Sequence, residues 1–154
     1  MIAIRHQRTV RIGTILFLFA IASCAVCSAR EHTRAELIQR AEQAKVDDQP
    51  KAYTDVAELQ LHQADKDYKA GNSYGARAAV QDVATFSSKA VGAALRSGKQ
   101  LKKTEIKLRK MQEKLRDIKR TVEYDDQAPI QSVIDQLEGL RNQLLDKMFH
   151  HKSK

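Results

Sequence analysis

The sequence has no tryptophan and only two prolines, and aromatic residues make up only 5% of its 154 positions. A β-sandwich or barrel needs aromatic and β-branched residues at alternating positions and frequent Gly or Pro turns, so this composition argues against both. Both cysteines, Cys24 and Cys27, precede residue 30, which argues against a disulfide scaffold. The length corresponds to one domain, and the abundance of Ala, Leu, Gln, Lys, Arg and Glu predicts an all-α protein.

The N-terminal segment has the three parts of a secretory signal peptide. Residues 1–11 contain three arginines and no acid, residues 12–22 form an uncharged apolar run, and residues 23–29 are mostly small. This order is typical of a signal that is removed on export. Cleavage after Ala29 would leave Arg30 as the first residue of the mature chain. The alternatives are a helix of the mature fold and an uncleaved N-terminal anchor, for which the apolar run is short.

A second cleavage position lies inside the same segment. Ile21-Ala22-Ser23-Cys24 resembles a bacterial lipobox, although Ile stands where Leu is commoner. The resemblance implies cleavage after Ser23 and an acylated Cys24 that anchors the protein to a membrane. Both interpretations predict an exported protein, periplasmic or anchored as a lipoprotein, with secretion as the alternative.

Four helical segments are predicted in a single domain that covers residues 30–154. Gly71 is suited to end the second helix, because glycine enters the left-handed region of the backbone at low cost. Asn72 or Ser73 can then cap the third helix, and so short a link forces the two helices into an antiparallel hairpin. The segments cover about residues 33–46, 51–70, 74–121 and 128–149.

The longest segment, residues 74–121, is predicted as one continuous helix, with a break at Ser97-Gly98 as the alternative. A glycine within a helix costs about 1 kcal/mol relative to alanine, which a long packed helix can absorb. From residue 99 onward, apolar residues recur with three-four spacing, and the fourth segment has the same spacing. We therefore expect an antiparallel coiled-coil hairpin, or else pairing of both seams with another molecule in a homo-oligomer. The seam consists of Leu101, Leu108, Met111, Leu115, Ile118, Val122, Ile130, Val133, Leu137, Leu140 and Leu144.

The charge is unevenly distributed along the predicted hairpin. Lys99–Arg120 contains ten basic residues and three acids, whereas Glu123–Phe149 contains six acids and two bases. Such flanks are usually solvated and partly paired across the hairpin, each exposed pair contributing about 0–1 kcal/mol. The alternative is a surface for an anionic partner such as a phospholipid face or an acidic envelope polymer. The candidates for that contact are Lys102, Lys103, Lys107, Lys110 and Lys114.

Residues 57–80 resemble one degenerate tetratricopeptide hairpin. The shared features are Tyr68 near the end of the first helix, Gly71 at the turn, Tyr74 at the start of the second helix, and alanines two and five positions later. The resemblance implies a helical hairpin of the kind used in protein-interaction scaffolds. The segment lacks the family's Trp-Leu-Gly start, its closing Pro and a second copy about 34 residues away, so no binding residue is carried over.

The sequence contains none of the common catalytic motifs. It has no glycine-rich phosphate loop, no Gly-x-Ser-x-Gly and no His-Glu-x-x-His. His62 and Asp65 are two residues of a metal site that needs three or four, so we expect no metal, no cofactor and no enzymatic activity.

The leading functional hypothesis is an exported helical scaffold or adaptor that presents helix faces to a protein partner in the cell envelope. The alternative is a binder of an anionic envelope polymer or lipid surface through Lys99–Arg120. Export, together with the absence of aromatic residues between the bases of that segment, argues against a nucleic-acid partner.

Overall fold

A computed structural model describes residues 34–150. Nearly all of the described residues, from Leu37 onward, belong to one compact unit. The predicted signal peptide of residues 1–29 and its lipidation candidate Cys24 lie outside the described residues.

The described part of the chain forms five helices and no strand, which confirms the prediction of an all-α protein. Helix α1 covers residues 34–43, and the helices that follow are α2 (Gln49–Lys69), α3 (Ser73–Ser97), α4 (Leu101–Thr121) and α5 (Tyr124–His150). Within residues 34–150, no helix has the length and apolar content needed to cross a membrane.

The link between α1 and α2 begins earlier than predicted. Helix α1 ends at residue 43, and the amide of Asp48 donates to the carbonyl of Lys45 at 2.8 Å in the turn that follows. Helix α2 starts at Gln49 because Pro50 fits into the first helical turn, where its missing N–H has no helical partner to lose.

The link between α2 and α3 agrees with the prediction of a short turn. Gly71 has a φ of +75°, in the left-handed region that glycine enters at low cost. The side chain of Asn72 accepts a hydrogen bond of 3.1 Å from the amide of Gly75, so Asn72 is the N-cap of α3. The two helices therefore form the predicted hairpin.

The prediction of one continuous helix over residues 74–121 is wrong, and the alternative, a break at Ser97-Gly98, is the arrangement in the structure. Helix α3 ends at Ser97, where Gly98 has a φ of +67° and donates its amide to the carbonyl of Ala94 at 2.9 Å. Gln100 also has a positive φ, of +59°, and α4 begins at the next residue. This left-handed pair reverses the chain, so that the apolar face of α4 packs on the preceding hairpin. That burial outweighs the cost of interrupting the helix.

The link between the third and fourth predicted segments, residues 122–127, is also shorter in the structure. Helix α5 begins at Tyr124, and Pro129 lies inside it. Asp125 and Asp126 occupy the first turn, where negative charge interacts favourably with the positive end of the helix dipole. The side chain of Asp126 also accepts a hydrogen bond of 2.5 Å from Nε of Arg77 on α3, which holds this early start in place.

Two helical hairpins, α2–α3 and α4–α5, lie side by side and run in the same direction. Helix α2 packs beside α4, and α3 packs beside α5. Three ion pairs join residues that are 49 positions apart, Glu58 with Lys107, Asp65 with Lys114, and Arg77 with Asp126. A constant separation along the chain means that the neighbouring helices are parallel and in register.

The core lies between these four helices, with Ala41 of α1 also buried. The predicted seam lies within this core, but α2 and α3 share it, so the arrangement is a bundle rather than an isolated two-helix coiled coil. Leu101, Val122 and Leu140 are half-buried. The other eight seam residues are buried, namely Leu108, Met111, Leu115, Ile118, Ile130, Val133, Leu137 and Leu144.

Candidate anion-binding surface on helix α4

Helix α4 is strongly basic, with nine Lys and Arg residues and three acids in 21 positions. Its long, unbranched side chains favour helix formation. The buried residues Leu108, Met111 and Leu115 fix the rotation of the helix in the bundle. This rotation leaves the bases in two rows on either side of the apolar face.

The first row, which we call the inner row, faces α2 and contains Lys103, Lys107, Lys110 and Lys114. Their spacing of four, three and four places them on one helix face. Nζ of Lys107 lies 2.7 Å from both carboxylate oxygens of Glu58. Lys107 is therefore ion-paired with an acid of α2, and the same is true of Lys114.

Nζ of Lys114 lies 3.2 Å from Oδ2 of Asp65, which also accepts a hydrogen bond of 2.8 Å from Lys69. The Asp65 side chain is only 14% exposed. Partial burial alone would raise the pKa of Asp65, but the hydrogen bonds from Lys69 and Lys114 outweigh burial and lower the pKa. Asp65 therefore remains charged at neutral pH and neutralises this end of the inner row.

The second row, which we call the outer row, contains Lys102, Arg109 and Arg116, spaced seven residues apart. All three side chains are exposed. Within residues 34–149, none of them has a hydrogen-bond or ion-pair partner, whereas the nearby Arg120 lies 3.3 Å from Asp117. The outer row therefore forms the longest strip of uncompensated positive charge on α4, from Lys102 to Arg116.

A groove of about 290 Å³ lies between α2 and α4, next to the turn that joins α3 to α4. Thr54 lines the groove, and its hydroxyl is already engaged because it donates to the carbonyl of Pro50 at 2.6 Å. Four lysines and one acid are among the lining residues, which are Lys51, Thr54, Asp55, Gln100, Lys103, Thr104, Ile106, Lys107 and Lys110.

Two of the four lysines of this groove are paired within the protein. Nζ of Lys51 lies 2.6 Å from Oδ2 of Asp55, and this hydrogen bond raises the pKa of Lys51. Lys107 is paired with Glu58. Lys103 and Lys110 have no hydrogen-bond or ion-pair partner in the described part of the chain. The groove therefore carries two uncompensated positive charges.

A second, more polar cavity of about 320 Å³ lies near the turn between α4 and α5. Nζ of Lys119 donates to the side-chain oxygen of Gln131 at 2.8 Å there. The described residues that line this cavity include no acid. They are Arg116, Lys119, Arg120, Gln127 and Gln131. The basic character of α4 thus extends along its whole length.

The five lysines chosen from the sequence have different surroundings in the structure. Lys103 and Lys110 line the groove, Lys107 and Lys114 are paired with acids of α2, and Lys102 belongs to the outer row. Sequence reasoning missed the arginines of the outer row. It also missed a usable signal for the two ion pairs. Glu58 and Asp65 are seven residues apart, as are Lys107 and Lys114, the lysines with which they pair.

Two exposed tyrosines mark the end of the bundle at which both hairpins turn. Tyr74 is 87% exposed near the start of α3, and Tyr124 is 85% exposed at the start of α5. The ion pair between Arg77 and Asp126 joins the N-terminal parts of these two helices. Both rings therefore stand at the same end of the bundle.

Among the described residues, no three His, Cys, Asp or Glu side chains are grouped so that they could hold a metal ion. Comparison of the chain with known protein families, with curated proteins and with solved structures finds no match. The tetratricopeptide resemblance of residues 57–80 stays a prediction.

Proposed function

We propose that this protein is an exported, non-enzymatic binding protein that adsorbs to an anionic phospholipid surface through helix α4. The observation that carries the proposal is the uncompensated charge of α4. Five of its nine bases have no hydrogen-bond or ion-pair partner in the described part of the chain. These bases are Lys102, Lys103, Arg109, Lys110 and Arg116.

The size of the electrostatic attraction is sufficient for reversible adsorption. A basic residue close to an anionic membrane contributes about 1 kcal/mol. The outer row from Lys102 to Arg116 extends about 21 Å at 1.5 Å per residue, so its members can contact several headgroups at once. Helix α4 has no exposed aromatic side chain that would insert into the bilayer, and its attraction is therefore ionic and sensitive to salt.

The proposal is tested by co-sedimentation of the protein with lipid vesicles. Vesicles of phosphatidylcholine are compared with vesicles that contain phosphatidylglycerol, each over a range of sodium chloride concentrations. We expect adsorption to the anionic vesicles only, with loss of binding as the salt rises through about 0.1–0.3 M, where the screening length falls below about 10 Å. Equal adsorption to both vesicles, or adsorption unaffected by salt, would contradict it. If a soluble acidic polymer competes with the anionic vesicles for the protein and binds it equally well, the partner is the polymer.

Export is the second element of the proposal, and it is supported by the basic, apolar and small-residue parts of residues 1–29. Mass spectrometry of the protein from its own cells tests this element. A mature chain that begins at Arg30 indicates simple cleavage, and a chain that begins at an acylated Cys24 indicates a lipoprotein. Recovery of the intact N-terminus in the cytoplasmic fraction alone would contradict export.

The exposed pair Tyr74 and Tyr124 favours a second candidate function, that of a scaffold for a protein partner. Tyrosine is enriched among the residues that dominate the binding energy of protein interfaces. We expect a photoreactive residue placed at either position in living cells to crosslink to the same protein. Val46, which is 58% exposed, serves as the control position. Absence of a common adduct from positions 74 and 124 would reject the scaffold function, and a homo-oligomer would appear as an adduct to the chain itself.

A further inference from the structure

The groove between α2 and α4 differs from the rest of the basic surface because it has depth and an apolar floor. Thr104 is buried, Thr54 is buried with its hydroxyl engaged by the carbonyl of Pro50, and Ile106 is a half-buried aliphatic residue on the otherwise polar side of α4. Its volume of about 290 Å³ corresponds to roughly ten water molecules. A simple charged surface that adsorbs to a bilayer has no need of such a floor.

The charge of the groove matches a dianion. Lys51 and Lys107 are paired with Asp55 and Glu58, so the net charge that remains is that of Lys103 and Lys110. A phosphate monoester carries about −1.5 to −2 at neutral pH. The basic side chains among the described residues that line the groove are all lysines. Lysine binds phosphate as a compact point charge.

The first turn of α4 adds to this positive potential. Gln100 precedes α4 without providing a side-chain cap, and the first turn contains no acid. The side chain of Gln100 instead donates to the carbonyl of Asp47 at 2.6 Å, which fixes this residue at the edge of the groove. The amides at the start of α4 therefore lie beside the lysines with their partial positive charge uncompensated by an acid.

We propose that this groove binds the phosphate monoester headgroup of a lipid, with the phosphate between Lys103 and Lys110 and the first carbons of the lipid on the floor formed by Thr54 and Ile106. This inference deepens the proposed function and rests on it. The outer row attracts the protein to the anionic surface without distinguishing headgroups, and the groove selects the monoester. A lipid is preferred over free phosphate because free phosphate would leave the apolar floor unoccupied.

The test uses dihexanoyl phosphatidic acid, a soluble lipid that carries a phosphate monoester, in calorimetric titrations of the purified protein at low salt. We expect saturable binding of one lipid per chain, and no binding of dihexanoyl phosphatidylcholine. K103Q/K110Q is expected to weaken binding about tenfold or more. The matched control K102Q/R109Q removes the same charge from the outer row and should change the affinity less than about threefold. Circular dichroism confirms that both variants remain helical.

A second variant separates the floor from the charges. Ile106→Ser should weaken the binding of dihexanoyl phosphatidic acid and leave the binding of inorganic phosphate unchanged. Inorganic phosphate that binds the wild type as tightly as the lipid would show a site for free phosphate, and would overturn the lipid assignment. Equal weakening by K103Q/K110Q and K102Q/R109Q would overturn the groove as the site.

Failure of this inference is distinguishable from failure of the proposed function. If vesicles containing phosphatidylglycerol retain the protein but dihexanoyl phosphatidic acid shows no saturable binding, the inference fails and surface adsorption stands. If the soluble lipid binds in the groove but no anionic vesicle retains the protein, adsorption through α4 fails and the groove remains a lipid site. Neither binding would contradict both.

Discussion

The guanidinium of Arg141 on α5 donates two hydrogen bonds to the same oxygen, Oε1, of Glu105 on α4, from Nε at 3.0 Å and from Nη2 at 2.7 Å. Its third contact is with the side-chain oxygen of Gln112 at 2.8 Å, and Gln112 in turn donates to the carbonyl of Ile134 at 2.9 Å. These contacts fix the antiparallel register of α4 and α5. The rotation of α4, and with it the direction of both basic rows, depends on that register.

The first prediction concerns this ion pair. Arg141→Met removes the donors and leaves Glu105, a side chain only 11% exposed, with an uncompensated charge. We expect a loss of about 3 kcal/mol in the free energy of unfolding, measured by urea denaturation. The double variant E105L/R141L removes both charges, and its loss should be clearly smaller. A single variant as stable as the wild type would show that the pair does not hold the two helices together.

The second prediction tests the helix break. Gly98 has a φ of +67°, and a Cβ added there would contact nothing within 4 Å, so any effect of Gly98→Ala comes from the backbone alone. We expect a destabilisation of about 1–2 kcal/mol. Gly139, exposed within α5, is the matched control, and its replacement by alanine should stabilise the protein by about 1 kcal/mol. Stabilisation by both substitutions would indicate a continuous helix through residue 98.

The third prediction concerns the pH dependence of Asp65. Because its pKa is lowered in the folded protein, its charge contributes stability that is complete above the ordinary value of 3.8. That contribution is lost as the pH falls below 3.8 and through the lower folded pKa. Asp65→Asn should therefore cost about 1 kcal/mol at neutral pH and progressively less in acid. Denaturation curves of both proteins at several pH values measure the difference, and a constant gap would contradict the pairing with Lys69 and Lys114.

The fourth prediction concerns Tyr68, whose hydroxyl is buried and has no hydrogen-bond partner in the described part of the chain. Burial, reinforced by the negative charge of Asp126, raises the pKa of Tyr68 to about 12. The neutral phenol thus contributes stability below the ordinary value of 10.0, and this is lost as the pH rises through about 12. In an absorbance titration, Tyr68→Phe should remove the ionisation near pH 12.

The same substitution has a second consequence at neutral pH. Phenylalanine lacks the buried hydroxyl, so the variant should be as stable as the wild type or more stable by up to about 1 kcal/mol. A large loss of stability in Tyr68→Phe would show that the hydroxyl has a partner on which the fold depends.

Local features of the sequence were enough to predict part of this fold. Gly71 and Asn72 predicted the first hairpin because a left-handed residue and a side-chain cap act within a few positions of the chain. The three-four spacing predicted the buried rows of α4 and α5 for the same reason, since helical periodicity depends on nearby residues. The local sequence offered the break at Gly98 only as the alternative, because a single glycine costs a packed helix little. The break is favoured by packing of α4 on helices formed much earlier in the chain.

The candidate site was predictable only in its overall charge. A basic segment is visible in the sequence, but the pairing of Lys107 with Glu58 joins residues 49 positions apart. Which lysines remain uncompensated depends on that distant contact and on the parallel arrangement of α2 and α4. The groove at Lys103 and Lys110 arises from the same packing, so neither feature follows from the sequence of α4 alone.

The most direct test of the central claim compares two neutralised variants for adsorption to vesicles that contain phosphatidylglycerol. R109Q/R116Q removes two exposed bases from the outer row, and the control K66Q/R96Q removes two exposed bases from α2 and α3. At about 1 kcal/mol for each base, R109Q/R116Q should weaken adsorption by roughly tenfold to thirtyfold. The control should remain close to the wild type. Equal loss in both variants would show that net charge, and not helix α4, governs binding.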